Sequence, residues 1–121
     1  DGAVLMNLGT LATAASVCPP NYVLVIIDNA GYGSTGYQQT FTSQTADLAA
    51  VARGCGWKHV SEITRPDEIG PALSRCLGSS KGPHCLVIKV AQGHQRLEPI
   101  PLGATEIRDR FRTSLEGQNH D

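Results

Sequence analysis

Tyr22-Val23-Leu24-Val25-Ile26-Ile27-Asp28-Asn29-Ala30-Gly31-Tyr32-Gly33-Ser34-Thr35-Gly36 is an aliphatic run that ends on two polar residues and then turns glycine-rich. The run is too short for a membrane helix, which takes roughly 20 apolar residues, and Pro19-Pro20-Asn21 closes it on the other side. Near-continuous aliphatic character over this length predicts a strand at 22–27, buried on both faces of a parallel sheet. Ligands of open α/β sheets sit beyond the carboxyl ends of the strands. Asp28, Asn29 and the glycine loop are therefore where chemistry is expected.

Working outward, Leu5, Leu8, Leu11, Ala12 and Ala15 recur at helical spacing, which predicts one helix from about Val4 to Ala15 that stops before Pro19-Pro20. A helix starting just after Asp1-Gly2 would aim free N–H groups at whatever lies near residue 1, in outline an anion site. Residues 37–45 are too polar and irregular for an element. A short helix is predicted at 46–53, with Thr45 as cap and Gly54 as stop. A short strand is predicted at 57–60, and a helix opened by Pro66 runs through Ile69, Leu73 and Leu77. A third strand at 83–90, a connecting loop at 93–101 and a closing helix at 104–111, capped around Thr105, complete the chain. The order is helix, strand, helix, strand, helix, strand, helix, an α/β pattern of three layers, αβα, with a mainly parallel sheet. It begins on a helix, as though the first strand of the unit stood before Asp1.

The two polar junctions, at Asp1 and at Asp28-Asn29, are brought together if neighbouring parallel strands deliver them. An aspartate carboxylate, an asparagine amide oxygen and a backbone carbonyl of the glycine turn are hard oxygen donors, suited to magnesium or calcium. The same residues are equally read as a strand end and a turn cap, because Asp-Asn turns are common. A rival motif overlaps them. Gly31-Tyr32-Gly33-Ser34-Thr35-Gly36 matches the dinucleotide pattern G-x-G-x-x-G, which would make the chain a non-catalytic nucleotide-binding or interaction module. Its context argues against that: Asp28-Asn29-Ala30 intervenes after the strand, no amphipathic helix follows Gly36, and Glu62 stands too far on to be the ribose acid.

At Asp1-Gly2-Ala3-Val4-Leu5-Met6-Asn7-Leu8-Gly9 and Ile27-Asp28-Asn29-Ala30-Gly31-Tyr32-Gly33-Ser34-Thr35-Gly36 the sequence resembles the diphosphate-binding domain of thiamine-diphosphate-dependent enzymes. That family's signature opens with Gly-Asp-Gly and closes a little under thirty residues later with Asn-Asn or a close variant. The opening glycine would precede Asp1, and residues 1–121 would form a partial diphosphate-binding domain. The resemblance implies magnesium held by Asp1, Asn29 and the Gly31 carbonyl, with Gly2 and Ala3 offering N–H groups to thiamine diphosphate and Tyr32 and Gly33 bordering the cofactor. Many members carry serine where Ala3 stands, so a hydroxyl contact to phosphate is missing here. The wording around Leu5-Met6-Asn7-Leu8-Gly9, Tyr32-Gly33-Ser34-Thr35-Gly36 and Ile100-Pro101-Leu102 is most similar to sulfopyruvate decarboxylases, then to phosphonopyruvate decarboxylases. It implies decarboxylation of a small anionic 2-oxo acid by an oligomer. The pyrimidine-binding domain or alpha subunit would bring the activating glutamate, so these 121 residues alone would be inert.

Bulk composition is compatible with this. Ten Lys plus Arg against 11 Asp plus Glu give a net charge of -1, without the basic footprint of a nucleic-acid binder. Cys18, Cys55, Cys76 and Cys85 form no CxxC pair and are expected as reduced core thiols of a cytoplasmic protein. His59 is expected to be structural, with His84 and His94 at the surface. Tyr32, Ser34, Thr35, Gln38 and Gln39 are expected either in a solvated loop or beside the cofactor, and Arg96 is a weak candidate for meeting a sulfonate or phosphonate.

Overall fold

The computed structural model describes residues 1–93, 98 and 100–117; His94 and Arg96 lie outside them. Helix α1 (Gly2–Leu5) and helix α2 (Gly9–Val17) lead to strand β1 (Val23–Asp28). A two-stranded hairpin, β2 (Gly31–Tyr32) and β3 (Gln38–Gln39), and a 3-10 turn (Phe41–Ser43) follow. Then come α3 (Leu48–Gly54), β4 (His59–Ile63), α4 (Pro66–Leu77), β5 (His84–Lys89) and α5 (Ala104–Glu116). The main sheet has the order β1-β5-β4 and is parallel throughout, in register from Val23 opposite His84 to Asp28 opposite Lys89.

Alternation along the strands divides the core in two, because successive side chains point to opposite faces. Ile26, Cys85 and Val87 pack with Leu11 of α2, with Leu48, Ala49 and Ala52 of α3, and with Trp57. Leu86, Ile88 and Ile63 pack with Ala72 and Cys76 of α4. Helices thus cover both faces, as the three-layer reading requires. The indole of Trp57 is buried and donates from Nε1 to the Leu11 carbonyl at 2.8 Å, tying α2 to the segment before β4. Before β5, Gly82 lies so near the 19–20 turn that a Cβ there would come within 2.5 Å of the Pro20 carbonyl. Its N–H donates to that same oxygen at 2.8 Å.

Several expectations need correction. The first helix is split, because Asn7 and Gly9 are weak helix formers and tight bonds from Thr10 N–H to Asn7 O and from Leu11 N–H to Leu8 O turn the chain. The 46–53 helix starts at Leu48, where the Asp47 carboxylate rather than Thr45 accepts the Ala50 N–H at 2.9 Å. Glu62 lies within β4. The closing helix continues to Glu116 and has Gly103 as its N-cap, and its polar composition beyond Phe111 belongs to a solvated face. Strand β1 is not buried on both faces: Ile26 is 2% exposed, whereas Val25 and Ile27 are 40% and 53% exposed. Among the described residues β5 is its only strand neighbour, and of β1 only Val23 packs on the cluster under α4, which leaves Val25 and Ile27 uncovered. Cys76 and Cys85 are buried, but Cys18 is exposed at the left-handed C-cap of α2 (φ 51°), and all four thiols are free.

Candidate functional site

The carboxyl ends of β1 and β5 deliver the site. Asp1 meets β1 there: its amino nitrogen donates to the Ile27 carbonyl at 2.8 Å. Residue 1 thus lies beside the 27–29 turn, although 28 positions separate Asp1 from Asn29. In that turn the Asp28 Oδ1 accepts the Ala30 N–H at 3.1 Å and the Asn29 Oδ1 accepts the Gly31 N–H at 3.2 Å. Ala30 is left-handed (φ 57°), a conformation costly for a residue with a Cβ. It is held by the Asp28 bond, by the Thr40 N–H and by Gln92 Nε2, the last two both donating to its carbonyl. Strained backbone of this kind persists where the surroundings over-determine it.

The glycine loop folds back as a hairpin. Gly31 pairs with Gln39 and Tyr32 with Gln38, and no helix opens after Gly36, so the dinucleotide pattern lacks the terminus that would hold a pyrophosphate. The hairpin returns the chain to β1 and places Thr40 and Thr42 between two carboxylates. Thr40 Oγ1 donates to Asp1 Oδ2, Thr42 Oγ1 donates to Asp28 Oδ1 at 2.7 Å, and the two hydroxyl oxygens stand 2.8 Å apart. Thr42 Oγ1 is also 3.2 Å from Asp1 Oδ2. Sequence reasoning had passed over both threonines, since the 37–45 stretch has no period. The available signal was two hydroxyls, at alternate positions, following a turn that reverses onto a strand end.

Asp28 is buried, 2% exposed, and pairs with Lys89 Nζ at 2.6 Å across the β1–β5 register. Burial pushes the Asp28 carboxyl up. The hydrogen bonds from Lys89, Thr42 and Ala30, with the Lys89 charge, outweigh that and hold it below the usual carboxylate range. The bond to Asp28 raises the Lys89 ammonium in turn. Asp28 is thus an anion whose charge is already answered. Asp1 is different: both hydroxyls reach its Oδ2, and among the described residues no hydrogen bond falls on its Oδ1.

Two further features fit a cation with a double phosphate. The N–H groups of Gly2 and Ala3 open α1 and have no acceptor among the described residues, though Gly2 is buried. A buried donor such as that of Gly2 requires a partner, while Ala3 is exposed. Helix α1 is only four residues long, so these are local amide donors and not the dipole of a long helix, which corrects the anion site read from the sequence. Asp1 Oδ1, the second lone pair of Asn29 Oδ1 and the backbone carbonyl of buried Gly31 are the hard-oxygen donors that could hold a cation at these junctions. No group of three His, Cys, Asp or Glu suited to a metal occurs among the described residues. Tyr32 packs its ring on Gly2, and Gly33 lies in the turn beside the Tyr37 ring. Ser34, Thr35, Gln38 and Gln39 are exposed.

The histidines stand elsewhere. His59 and His84 are register partners with ring centroids 4.8 Å apart, and His84 Nε2 is buried without a hydrogen-bond partner among the described residues. An open surface hollow along α5, lined by Gly103, Thr105, Glu106, Asp109 and Arg110, includes none of the site residues.

A parallel α/β unit with polar groups at the carboxyl ends of its strands has the architecture of the ligand-binding α/β domains. The family model for the thiamine pyrophosphate enzyme C-terminal TPP binding domain matches residues 1–88, and the chain belongs to that family. It is 55% identical over 118 residues to the sulfopyruvate decarboxylase subunit beta of Methanocaldococcus jannaschii, covering 96% of this chain and 61% of that protein. Identity to the subunit beta of Methanococcus maripaludis is 35%, with the same coverage. Identity to the phosphonopyruvate decarboxylase of Streptomyces viridochromogenes is 40%, over 93% of this chain and 28% of that protein. The chain therefore spans about three fifths of the sulfopyruvate decarboxylase subunits it matches. Among the described residues no helix is long and apolar enough to cross a membrane.

Proposed function

We propose that this chain is the diphosphate-binding part of a thiamine-diphosphate- and Mg2+-dependent decarboxylase whose substrate is sulfopyruvate, giving sulfoacetaldehyde and carbon dioxide. The observation that carries the reading is the contact between Asp1 and Ile27, which seats the opening half of the cofactor signature against the closing half. Asp1, through Oδ1, Asn29, through its amide oxygen, and Gly31, through its carbonyl, would hold the magnesium ion, and the Gly2 and Ala3 amides would receive the diphosphate. Tyr32 and Gly33 border the same loop. When bound, thiamine diphosphate supplies the carbon nucleophile and electron sink that decarboxylation of a 2-oxo acid needs. What this chain contributes is anchorage. It fixes the charged end of the cofactor with preorganised donors, so that orientation is settled before substrate arrives.

The activating glutamate is assigned to a pyrimidine-binding domain or alpha subunit, in keeping with the subunit beta designation of the relatives. The working assembly is then an oligomer in the cytoplasm. Phosphonopyruvate is the second reading for the substrate, supported by the 40% identity to a phosphonopyruvate decarboxylase.

Calorimetric titration of Mg2+ and thiamine diphosphate into the intact protein with its partner tests the site. Asn29→Ala should weaken cofactor binding by at least about tenfold, the equivalent of one charge-assisted contact. Unchanged affinity would refute the assignment. Rates of carbon dioxide release from sulfopyruvate and from phosphonopyruvate decide between the substrates.

A further inference from the structure

We infer that Lys89 is a positioning residue for the cation site, acting through Asp28 and Thr42 on Asp1; the inference rests on the proposed role of Asp1 and Asn29 in holding magnesium. Asp28 occupies the position next to Asn29, at the strand end, where a second free carboxylate would compete for any cation. Lys89 stands opposite it in the β1–β5 register and takes Oδ2 at 2.6 Å. The other oxygen faces the loop and accepts Thr42 and Ala30. Asp28 is thereby converted from a potential ligand into a fixed acceptor. Thr42, anchored on it, stands 2.8 Å from Thr40 and 3.2 Å from Asp1 Oδ2, and Thr40 donates to that same oxygen. The Asp1 carboxylate is consequently held at Oδ2, and among the described residues no hydrogen bond falls on Oδ1.

The arrangement also sets the charge of the site. With Lys89 in place the two carboxylates and one ammonium sum to a single negative charge, carried by Asp1. Without Lys89, Asp28 becomes a second anionic oxygen donor in the same loop cluster. Calcium accepts six to eight oxygen ligands in flexible geometry, whereas magnesium demands a near-octahedral shell and keeps its waters. An added carboxylate therefore favours the larger ion.

The test uses the intact protein with its partner and has a binding readout independent of turnover. Mn2+ binding in the presence of thiamine diphosphate is followed by electron paramagnetic resonance, and Mg2+ and Ca2+ are ranked by their displacement of it. Thr42→Val keeps shape but removes the hydroxyl that is anchored on Asp28 and stands against Thr40 and Asp1 Oδ2, and it should weaken Mn2+ by about tenfold, the equivalent of one hydrogen bond to a charged group. Lys89→Met should raise the preference for Ca2+ over Mg2+, and adding Asp28→Asn to Lys89→Met should bring the preference back. Thr42→Val with wild-type Mn2+ affinity overturns the inference, as does a Lys89→Met protein with an unchanged ion preference. Should Lys89→Met fail to fold, Thr42→Val decides alone. Absence of Mn2+ binding to the unaltered protein would instead refute the magnesium site itself, a different and separately visible failure.

Discussion

The ring of Tyr32 packs against Gly2, so close that a Cβ added to the glycine would come within 2.2 Å of Tyr32 Cε1. This contact joins the residue after Asp1 to the hairpin that follows Asn29, and it leaves no room for a side chain at position 2. Gly2→Ala must displace the ring, and overpacking of this kind typically costs about 1–3 kcal/mol. Denaturant unfolding should show that loss, and in a double-mutant cycle Tyr32→Ala should relieve most of it, since the two residues share one space. Additive effects would mean that the glycine is required for some other reason.

A second expectation concerns stability at the strand ends. Removing Lys89 leaves the buried Asp28 carboxylate without its cation; because the Lys89 side chain is 33% exposed and water can reach the gap, the loss should fall below the roughly 3–5 kcal/mol of a fully buried pair, at about 1–3 kcal/mol. Lys89→Met should lower the denaturant midpoint accordingly. The double change Lys89→Met with Asp28→Asn should recover most of the loss, because an asparagine oxygen still accepts the Thr42 and Ala30 hydrogens and leaves no stranded charge.

Ala30 offers a gain. Its left-handed backbone costs about 1–2 kcal/mol relative to a favoured conformation, whereas glycine loses about 0.5–1 kcal/mol of chain entropy on ordering. The first effect is the larger, so Ala30→Gly should raise stability by up to about 1 kcal/mol by thermal or chemical unfolding. A decrease would show that the alanine methyl is packed to advantage.

Alkaline pH should find Cys85. Burial pushes its thiol up to about 11 from an ordinary value of 9.0, so the unfolded chain releases the proton first. Stability from this group is complete below pH 9 and falls as pH rises toward 11, by an amount on the order of 2 kcal/mol. Cys85→Ala should lower stability at neutral pH through the lost volume, yet flatten the decline between pH 9 and 11. At pH 8 a soluble disulfide reagent should label exposed Cys18 in the native protein and leave Cys85 unreacted.

Much of the architecture was legible because its determinants are local. The aliphatic run before Asp28, the Pro66 helix start and the apolar stretch at 84–89 each announce an element through a handful of adjacent residues. The two signature halves were legible for the same reason, and their meeting followed from parallel topology. The polar bridge between them was not. Thr40 and Thr42 matter because a hairpin carries them back to β1, and the pairing of Gly31 with Gln39 is a non-local fact without hydrophobic periodicity. The partnership of Asp28 with Lys89, 61 residues apart, depends likewise on β5 lying next to β1. Burial of β1 was overestimated because aliphatic content reports what a strand tolerates on each face, and says nothing of which neighbours are present to cover it.

The outer margin of β1, with Val25 and Ile27 facing water, has a practical consequence. Apart from the Ile27 carbonyl, which the Asp1 nitrogen takes, β1 has no strand partner on that side among the described residues, and an open strand edge is a template for any other extended segment. Handled as an isolated polypeptide, these 121 residues should adhere to one another through that margin and come out of solution as their concentration rises.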